Sequence, residues 1–392
     1  MERTSLLVIG AGPYGLSTAS YAKHAGITSI ILGEPMGFWR QSMPRGMLLR
    51  TGTGWQIDPL RTFTLRAYIE ERGLREKDVL PVPAELFIEY ADWFRHQYNL
   101  EVRRSFVKDL TRHDGLFEAS LTNGNIIIAD NVVAAPGVRD FANLPKGISQ
   151  QLSPGCYSHT AQFTDFDLVA GRRYLIIGGG QSAFEWAALM CEDGKAEKIH
   201  IVYRHDPPAL RSANHDFWAS VEEMMDLTLS VRGWFRRLSS ADREALMQQF
   251  SVEGRRRLEP WLAARITRGS IKQWAKTRLA ACKERPNGEI EVILSCGDRI
   301  VVDHIICATG YRVDIRKLSY MRTLTRAGPA SLSLSGGYPV LDNYFQSAIP
   351  GLFLSGITAV RDFGPFFRFL RGSTVAAQLI VSRLAKDFDG RN

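Results

Sequence analysis

The sequence lacks the features that would assign it to several common protein classes. It contains only five cysteines, Cys156, Cys191, Cys282, Cys296 and Cys307, and no two of them form a C-x-x-C pair. A disulfide framework, a zinc site and a thioredoxin-type redox pair therefore lack support, and we expect no metal centre. The pattern instead predicts buried thiols in a reducing compartment.

Long apolar runs and long basic runs are also missing. No apolar stretch approaches the ~20 residues of a membrane span, and the N-terminus "MERTSLLVIG" enters a strand without the layout of a signal peptide, so we expect a cytoplasmic protein without a membrane partner. The net charge is +8, but the longest basic run is "RRR" at 255–257. Charge spread in this way favours acidic, phosphate-bearing small molecules over nucleic acid as ligands.

Two glycine-rich fingerprints stand out. They read "LLVIGAGPYG" at 6–15 and "YLIIGGGQSA" at 174–183, with their first glycines 168 residues apart. In such a fingerprint the first glycine allows a tight turn, the second lets the backbone approach a pyrophosphate, and the third lets the helix and strand pack closely; alanine is accepted at the third position. The following helix N-terminus presents free N–H groups to phosphate. Two dinucleotide sites are predicted.

A second pair of segments repeats at nearly the same spacing. Residues 124–139, "GNIIIADNVVAAPGVR", and residues 297–312, "GDRIVVDHIICATGYR", align without a gap at an offset of 173 residues. Six pairs are identical: Gly124/Gly297, Ile127/Ile300, Asp130/Asp303, Ala135/Ala308, Gly137/Gly310 and Arg139/Arg312. Each copy is predicted to run strand, glycine turn, helix, strand and β-meander, so the fold class is α/β with two Rossmann-like domains, one inserted in the other.

The residue after the second strand of each copy predicts which nucleotide is bound. Glu34 follows the predicted strand 29–32 and is expected to hold ribose hydroxyls, as an acid does at this place. Arg204 follows the predicted strand 198–203, where an arginine favours the 2′-phosphate of NADPH over NADH.

Three short motifs resemble those of the class B flavin-dependent monooxygenases. "GCYSHTAQF" at 155–163 resembles the family's F-x-G-x-x-x-H-[S/T]-x-x-[Y/F] motif at Gly155, His159, Thr160 and Phe163, although Ser153 stands where the family has Phe. "CATGY" at 307–311 resembles the family's ATGY motif. "GFWR" at 37–40 resembles its G-G-x-W element with one glycine missing.

The resemblance implies a function. FAD would bind the first fingerprint, NADPH the second, and molecular oxygen would be the co-substrate. A C4a-hydroperoxyflavin would then oxygenate nitrogen or sulfur, in preference to carbon, of a small-molecule substrate. The FAD-binding domain is predicted at 1–162 and 311–392, and the NADPH-binding domain at 163–310.

The candidate site residues follow from the fingerprints and the resemblance. For FAD they are Gly10, Gly12, Pro13, Tyr14, Gly15, Glu34, Trp39, Arg40, Gly356 and Gly364. For NADPH and the domain boundary they are Gly178, Gly180, Gln181, Ser182, Ala183, Arg204, Thr160, Phe163, Ala308, Thr309 and Gly310. The candidate catalytic residues are His159, by the motif, and Arg50 and Asp58, whose loop is expected near the flavin ring.

Residues 206–275 do not fit the repeat and predict a helical insertion in the NADPH domain. "SSAD" at 239–242 is a capping signal for one of its helices. The insertion either covers the substrate entrance or packs against a second subunit of a homo-oligomer, and the sequence does not choose. Two other functions stay open: a flavin reductase that passes electrons to a quinone or protein, and a non-catalytic nucleotide sensor.

Overall fold

The computed structural model describes residues 1–192, 195–211, 217–267, 269–326, 328 and 331–389. Its strands are β1 (Glu2–Ile9), β2 (Ser29–Leu32), β3 (Val102–Arg103), β4 (Val107–His113), β5 (Leu116–Leu121), β6 (Ile126–Ala134), β7 (Tyr157–His159), β8 (Arg173–Ile177), β9 (Lys198–Val202), β10 (Ile271–Trp274), β11 (Leu279–Glu284), β12 (Ile290–Leu294), β13 (Arg299–Val302), β14 (His304–Cys307), β15 (Leu334–Ser335), β16 (Tyr338–Pro339) and β17 (Leu352–Leu354). Its α-helices are α1 (Pro13–His24), α2 (Gly37–Ser42), α3 (Leu65–Glu71), α4 (Ala84–Gln97), α5 (Lys146–Ser149), α6 (Gln181–Cys191), α7 (Phe217–Ser230), α8 (Trp234–Arg237), α9 (Ser240–Phe250), α10 (Arg322–Thr325), α11 (Val360–Phe363) and α12 (Gly372–Asp389).

The first sheet has the order β3-β2-β1-β6-β5-β4, and β17 also pairs with β6. The strands β3, β2, β1, β6 and β17 are parallel, whereas β4, β5 and β6 form an antiparallel meander. One edge of β6 changes partner along its length, because β5 pairs with its first half and β17 with its last three residues. The C-terminal segment therefore returns to the first sheet, as predicted.

The second sheet is wholly parallel and has the order β10-β9-β8-β14-β7, with a separate meander β11-β12-β13. The predicted α/β class with two Rossmann-like folds is confirmed. Strand β7 pairs with β14 in this sheet. The sequence placed residues up to 162 in the first domain. The structure instead has Tyr157–His159, as β7, at the edge of the second sheet, and no periodicity in the sequence revealed this pairing.

The internal repeat has a physical basis in two ion pairs. The guanidinium of Arg3, near the start of β1, pairs with Asp130 at 2.9 Å, and that of Arg173, at the start of β8, pairs with Asp303 at 2.6 Å. The repeated aspartates therefore join corresponding strands in the two copies. In the second copy Asp303 also separates β13 from β14, whereas in the first copy β6 runs through as one strand.

The insertion is smaller than predicted and packs on the other domain. Residues 271–274 form β10, a strand of the second sheet, so the helical part of the predicted range 206–275 ends earlier; 212–216 and 268 lie outside the described residues. Helix α9 begins after Ser239, whose hydroxyl accepts a hydrogen bond from the Asp242 amide, as the capping signal predicts. Apolar side chains of the insertion join the core of the first sheet: Phe217, Val221, Met225, Phe235 and Phe250.

Helix α7 of the insertion is held by a polar contact with the C-terminal segment. The Arg371 guanidinium, 8% exposed, donates to the Glu222 carboxylate of α7 at 2.6 Å. Helix α12, which begins at the next residue, packs along α1. Within the described residues, none of the helices combines the length and apolar character needed to span a bilayer.

Candidate functional site

The first fingerprint forms a tight turn between β1 and α1. Gly10 has φ +112°, and a Cβ there would collide with the Ala135 carbonyl oxygen. A Cβ on Gly15 would collide with the Gly10 carbonyl oxygen. Both positions therefore require glycine for backbone packing. Pro13 opens the helix at its first turn, where its missing N–H is not needed.

Gly12 differs, because a Cβ on it would meet nothing within 4 Å. It is the N-cap residue of α1, and no side chain caps the amides of that first turn. A phosphate group would fit this open, positively polarised helix end. The residues present therefore fit the pyrophosphate of a dinucleotide.

The N-terminus of α12 lies beside this turn. The Tyr14 hydroxyl is 2.8 Å from the carbonyl oxygens of both Phe367 and Phe369, just before the helix begins. The Ser355 and Ser373 hydroxyls are buried and find no hydrogen-bond partner among the residues that the structure describes. Buried polar groups are normally paired, so these hydroxyls are consistent with a polar ligand between β17 and α12.

The other predicted FAD residues lie around this turn in different roles. Glu34 follows β2 and forms an ion pair with Arg104 at 3.3 Å. Trp39 packs on Phe87 of α4, with ring centroids 4.8 Å apart. The Arg40 guanidinium pairs with Asp92, also on α4, so Trp39 and Arg40 hold α2 against α4.

Two predicted glycines in the C-terminal segment have left-handed backbone conformations. Gly356 has φ +73°, and its Cβ would contact the Tyr14 ring at 3.6 Å. Gly364 has φ +95°, and its Cβ would collide with the Phe366 ring. Gly356 adjoins the first fingerprint, whereas Gly364 is required by the packing of an aromatic core.

The second fingerprint borders a cavity of about 790 Å³ at the carboxyl ends of β8, β9 and β14. This is the edge where parallel α/β sheets bind ligands. Gly178 has φ +151°, and its Cβ would collide with the Ala308 carbonyl oxygen, as that of Gly10 would with Ala135. The structure brings ten predicted site residues together in the lining: Arg50, Thr160, Gly178, Gly180, Gln181, Ser182, Arg204, Ala308, Thr309 and Gly310.

The ionised side chains described in the lining of this cavity are of one sign. Among the described residues, its lining contains four arginines, Arg50, Arg204, Arg256 and Arg278, and no Asp or Glu. Such a lining focuses a positive potential into a concave site. The cavity volume and sign fit a phosphate-rich dinucleotide.

Arg50 is held in place by its neighbours. Its guanidinium donates to Glu259 at 2.8 Å, to the Gly254 carbonyl at 2.7 Å and to the Arg257 carbonyl at 3.0 Å. Glu259 also pairs with Arg211 at 3.0 Å. Burial lowers the pKa of Arg50, which the Glu259 carboxylate opposes. Arg50 therefore fastens the 45–59 loop to the end of the insertion.

His159 lies outside the cavity lining and is fully buried. Its Nδ1 accepts a hydrogen bond from the Ala161 amide at 3.1 Å, so Nε2 carries the proton and donates to the Gly310 carbonyl at 3.0 Å. Burial lowers the pKa of His159, although the bond to Gly310 opposes this, so the ring is neutral. Both ring nitrogens are therefore occupied, Nδ1 within the 155–163 segment and Nε2 in joining that segment to Gly310 after β14, and the predicted catalytic role stays a prediction.

Asp58 is also committed to local structure. Its carboxylate accepts hydrogen bonds from the amides of Leu60, Thr62 and Phe63 at 2.7–3.0 Å, and from the Tyr98 hydroxyl at 2.9 Å. It is fully buried and does not line the cavity. The Asp58 carboxylate thus caps its own turn, and the catalytic role predicted for it stays a prediction.

Phe163 and Ala183 complete the predicted set, and neither lines the cavity. The Phe163 ring packs against Tyr174 and His304 with centroids 5.8 and 5.3 Å apart, and its carbonyl accepts from the Trp186 indole at 2.7 Å. Ala183 is buried in α6. Both residues pack the second domain.

An aromatic wall stands between the 45–59 loop, the insertion and the C-terminal segment. The Trp218 ring meets Trp55 and Phe369 edge to face, with centroids 5.0 and 5.2 Å apart. The Arg50 and Arg211 guanidiniums lie 5.7 and 5.1 Å from its centroid. Phe369 is also part of the cavity lining, so the wall borders the cavity.

Sequence reasoning missed Arg256, Arg278 and Phe369 as lining residues. Arg256 belongs to the "RRR" run that resembles a solvated surface. Gly254, directly before this run, was the signal available in the sequence, because a glycine can mark a close approach of the backbone. In the structure, a Cβ added to Gly254 would collide with the Phe217 ring.

Comparisons with known proteins agree with this geometry. Residues 7–231 match the profile of the pyridine nucleotide-disulphide oxidoreductases. A FAD-dependent urate hydroxylase from Xanthomonas campestris pv. campestris is 26% identical over 223 residues, 54% of this chain and 47% of that protein. A ferredoxin–NADP reductase from Thermus thermophilus is 28% identical over 229 residues, 57% of this chain and 58% of that protein. The chain thus spans about half the length of the curated relatives it matches.

Among solved structures, an ornithine N-hydroxylase from Kutzneria sp. 744, with reduced FAD, NADP⁺ and L-ornithine, aligns with a TM-score of 0.81 at 16% identity. The alignment covers 98% of this chain and 100% of that one. At this identity the likeness establishes the fold.

Proposed function

Because the chain belongs to the pyridine nucleotide-disulphide oxidoreductase family, we propose that it is a FAD- and NADPH-dependent monooxygenase of a small-molecule nitrogen or sulfur nucleophile. The observation that carries the proposal is the pair of dinucleotide cradles, one open at Gly12 and one bordering an arginine-lined cavity. The FAD-binding domain would comprise 1–162 and 311–392, and the NADPH-binding domain 163–310, apart from β7.

In the FAD site, the residues present bind and orient the cofactor. The α1 amides and Gly12 would hold the pyrophosphate, and Glu34 would accept hydrogen bonds from the ribose. The N-terminus of α12, beside Tyr14 and Ser373, would stabilise negative charge on a reduced ring. When bound there, FAD would supply the hydride-accepting and oxygen-activating chemistry, and these residues would hold and orient it.

In the NADPH site, Gly178 and Gly180 admit the pyrophosphate to the N-terminus of α6. Arg204, at the end of β9, would pair with the 2′-phosphate. Thr160 and Gly310 border the same cavity, and His159, next to Thr160 in the chain, donates to the Gly310 carbonyl and accepts from the Ala161 amide. This arrangement supports a role for His159 in positioning.

In the proposed enzyme the aromatic wall would exclude water from the space between the two sites. Trp55, Trp218 and Phe369 come from three separate segments, so the wall exists only when the insertion is docked on the first domain. Exclusion of water protects a reactive oxygen adduct from decay. A docked insertion therefore fits an oxygenase.

The test is the reaction of the NADPH-reduced protein with oxygen in a stopped-flow spectrophotometer. A long-lived species that absorbs below the oxidised flavin bands, followed by substrate-dependent decay, supports the monooxygenase. Direct return of oxidised flavin with stoichiometric hydrogen peroxide, unaltered by amine or thioether substrates, contradicts it.

A reductase is the second candidate, favoured by the similarity to ferredoxin–NADP reductases. A disulfide acceptor within the chain is not supported, because no two cysteines form a C-x-x-C pair and none of the five lines the cavity. In this case electrons would pass to a quinone or protein, and reduction of such an acceptor would outpace oxygen consumption in the same protein.

A further inference from the structure

The last turn of the insertion has an unusual backbone. Residues Ser251–Arg256 follow α9 as a single π-helical turn, and Ser251, Gly254 and Arg256 from it line the cavity. π-helical turns are rare and occur frequently at functional sites. A segment that packs on the first domain therefore provides a wall of the cavity in the second.

Two arginines hold this turn by its carbonyl groups. Arg50 donates to the carbonyls of Gly254 and Arg257, and Arg211 donates to that of Glu253 at 3.3 Å. These carbonyls belong to a helix end, where partners within the helix are missing. Gly254 is buried against the Phe217 ring, where no side chain would fit. The turn is thus fixed from both domains.

The turn is also tied to the N-terminus of α6. The Glu259 amide, three residues after Arg256, donates to the Gln181 side-chain oxygen at 3.0 Å. Gln181 is the first residue of α6, and no side chain caps that helix end. Arg256 and the first residues of α6 line the same cavity, where the second fingerprint would hold a pyrophosphate.

The charges of the cavity arginines are not equivalent. Arg50 is neutralised by Glu259, whereas Arg204, Arg256 and Arg278 form no ion pair with the described residues. Arg204 follows β9 and Arg278 precedes β11, so neither belongs to the helical part of the insertion. NADPH carries a pyrophosphate and a 2′-phosphate, so it presents two separate anionic groups.

We propose that Arg256 binds the pyrophosphate of the nicotinamide dinucleotide, and that the insertion is in this way a structural part of the NADPH site. Arg50 and Arg211 act as positioning residues for it. The proposal rests on the proposed function in requiring a dinucleotide in this cavity, but it requires no oxygen chemistry.

The test is calorimetric titration of the FAD-loaded protein with NADP⁺ and, separately, with NAD⁺. Since both nucleotides contain the pyrophosphate, Arg256→Gln should raise both dissociation constants by the same factor, about 10- to 100-fold for the loss of a charge-assisted hydrogen bond. Arg204→Gln should raise the constant for NADP⁺ alone. Arg322→Gln, an exposed arginine on α10, removes the same charge away from the cavity and should change neither.

Each outcome decides the proposal. Unchanged constants for Arg256→Gln, or an effect equal to that of Arg322→Gln, would overturn it. A loss confined to NADP⁺ would also overturn it, because Arg256 would then contact the 2′-phosphate. If the wild-type protein binds neither nucleotide, the proposed function fails together with the inference, whereas wild-type binding with an unaffected Arg256→Gln variant refutes the inference alone.

Discussion

Replacing Arg50 with glutamine tests whether the contact between the 45–59 loop and the insertion stabilises the fold. The Arg50 side chain is 16% exposed and makes three hydrogen bonds, one of them to a carboxylate that is 5% exposed. Breaking a buried ion pair costs about 3–5 kcal/mol when the remaining charge is left alone. Because Glu259 retains Arg211 at 3.0 Å, we expect a smaller loss, about 2–3 kcal/mol.

The assay is denaturation by urea, with the change taken from the transition midpoint at constant slope. The control is Arg75→Gln, which breaks a surface pair with Asp78 whose side chains are 69% and 41% exposed, and should cost at most about 1 kcal/mol. Arg50→Lys keeps the charge, but lysine lacks the planar fork with which arginine reaches three acceptors. Its loss in free energy of unfolding should therefore lie between the losses of Arg50→Gln and Arg75→Gln. Equal losses for Arg50→Gln and Arg75→Gln would refute the reasoning.

Three further predictions concern the fingerprints and the buried histidines. Gly12→Ala should unfold at the wild-type temperature but retain less FAD after gel filtration, since its Cβ meets open space; an equally yellow protein would contradict this. Gly178→Ala should keep FAD and lose NADP⁺ binding, because the new Cβ collides with the Ala308 carbonyl; retained NADP⁺ affinity by calorimetry would be the contrary result. Burial, assisted by nearby cationic side chains, lowers the pKa of His200 and of His304 to about 4, so their stabilising contribution is complete above pH 6.5 and is lost as the pH falls to about 4. The free energy of unfolding should fall by up to about 3 kcal/mol per histidine as the pH falls across that window. His304→Gln should make the dependence of this free energy on pH less steep, and an unchanged dependence would contradict the lowered pKa of His304.

Local rules explain why much of the fold was predictable. Gly10 lies against the Ala135 carbonyl, and Gly178 lies against the Ala308 carbonyl. Ala135 and Ala308 are equivalent positions of the repeated segments 124–139 and 297–312. In each copy, therefore, the first glycine of the fingerprint packs against the repeated segment of the same copy. Short-range glycine geometry and buried strands suffice to locate such a unit.

Long-range contacts explain the errors. The insertion lies within the second domain in sequence but buries Phe217 and Phe250 in the first domain's core. His159 has the residue type of a catalytic group, and only the structure shows its Nε2 bonded to the Gly310 carbonyl. These two residues belong to segments that sequence spacing does not bring together, whereas the backbone partners of Asp58 are local.

The most direct test of the account is anaerobic mixing of the FAD-loaded protein with NADPH, followed at the flavin absorbance band. The account predicts rapid, saturable bleaching that Gly178→Ala abolishes, with the flavin still bound. Bleaching that is linear in NADPH concentration and unaffected by Gly178→Ala would contradict the claim that two dinucleotides bind this chain at once as a relay.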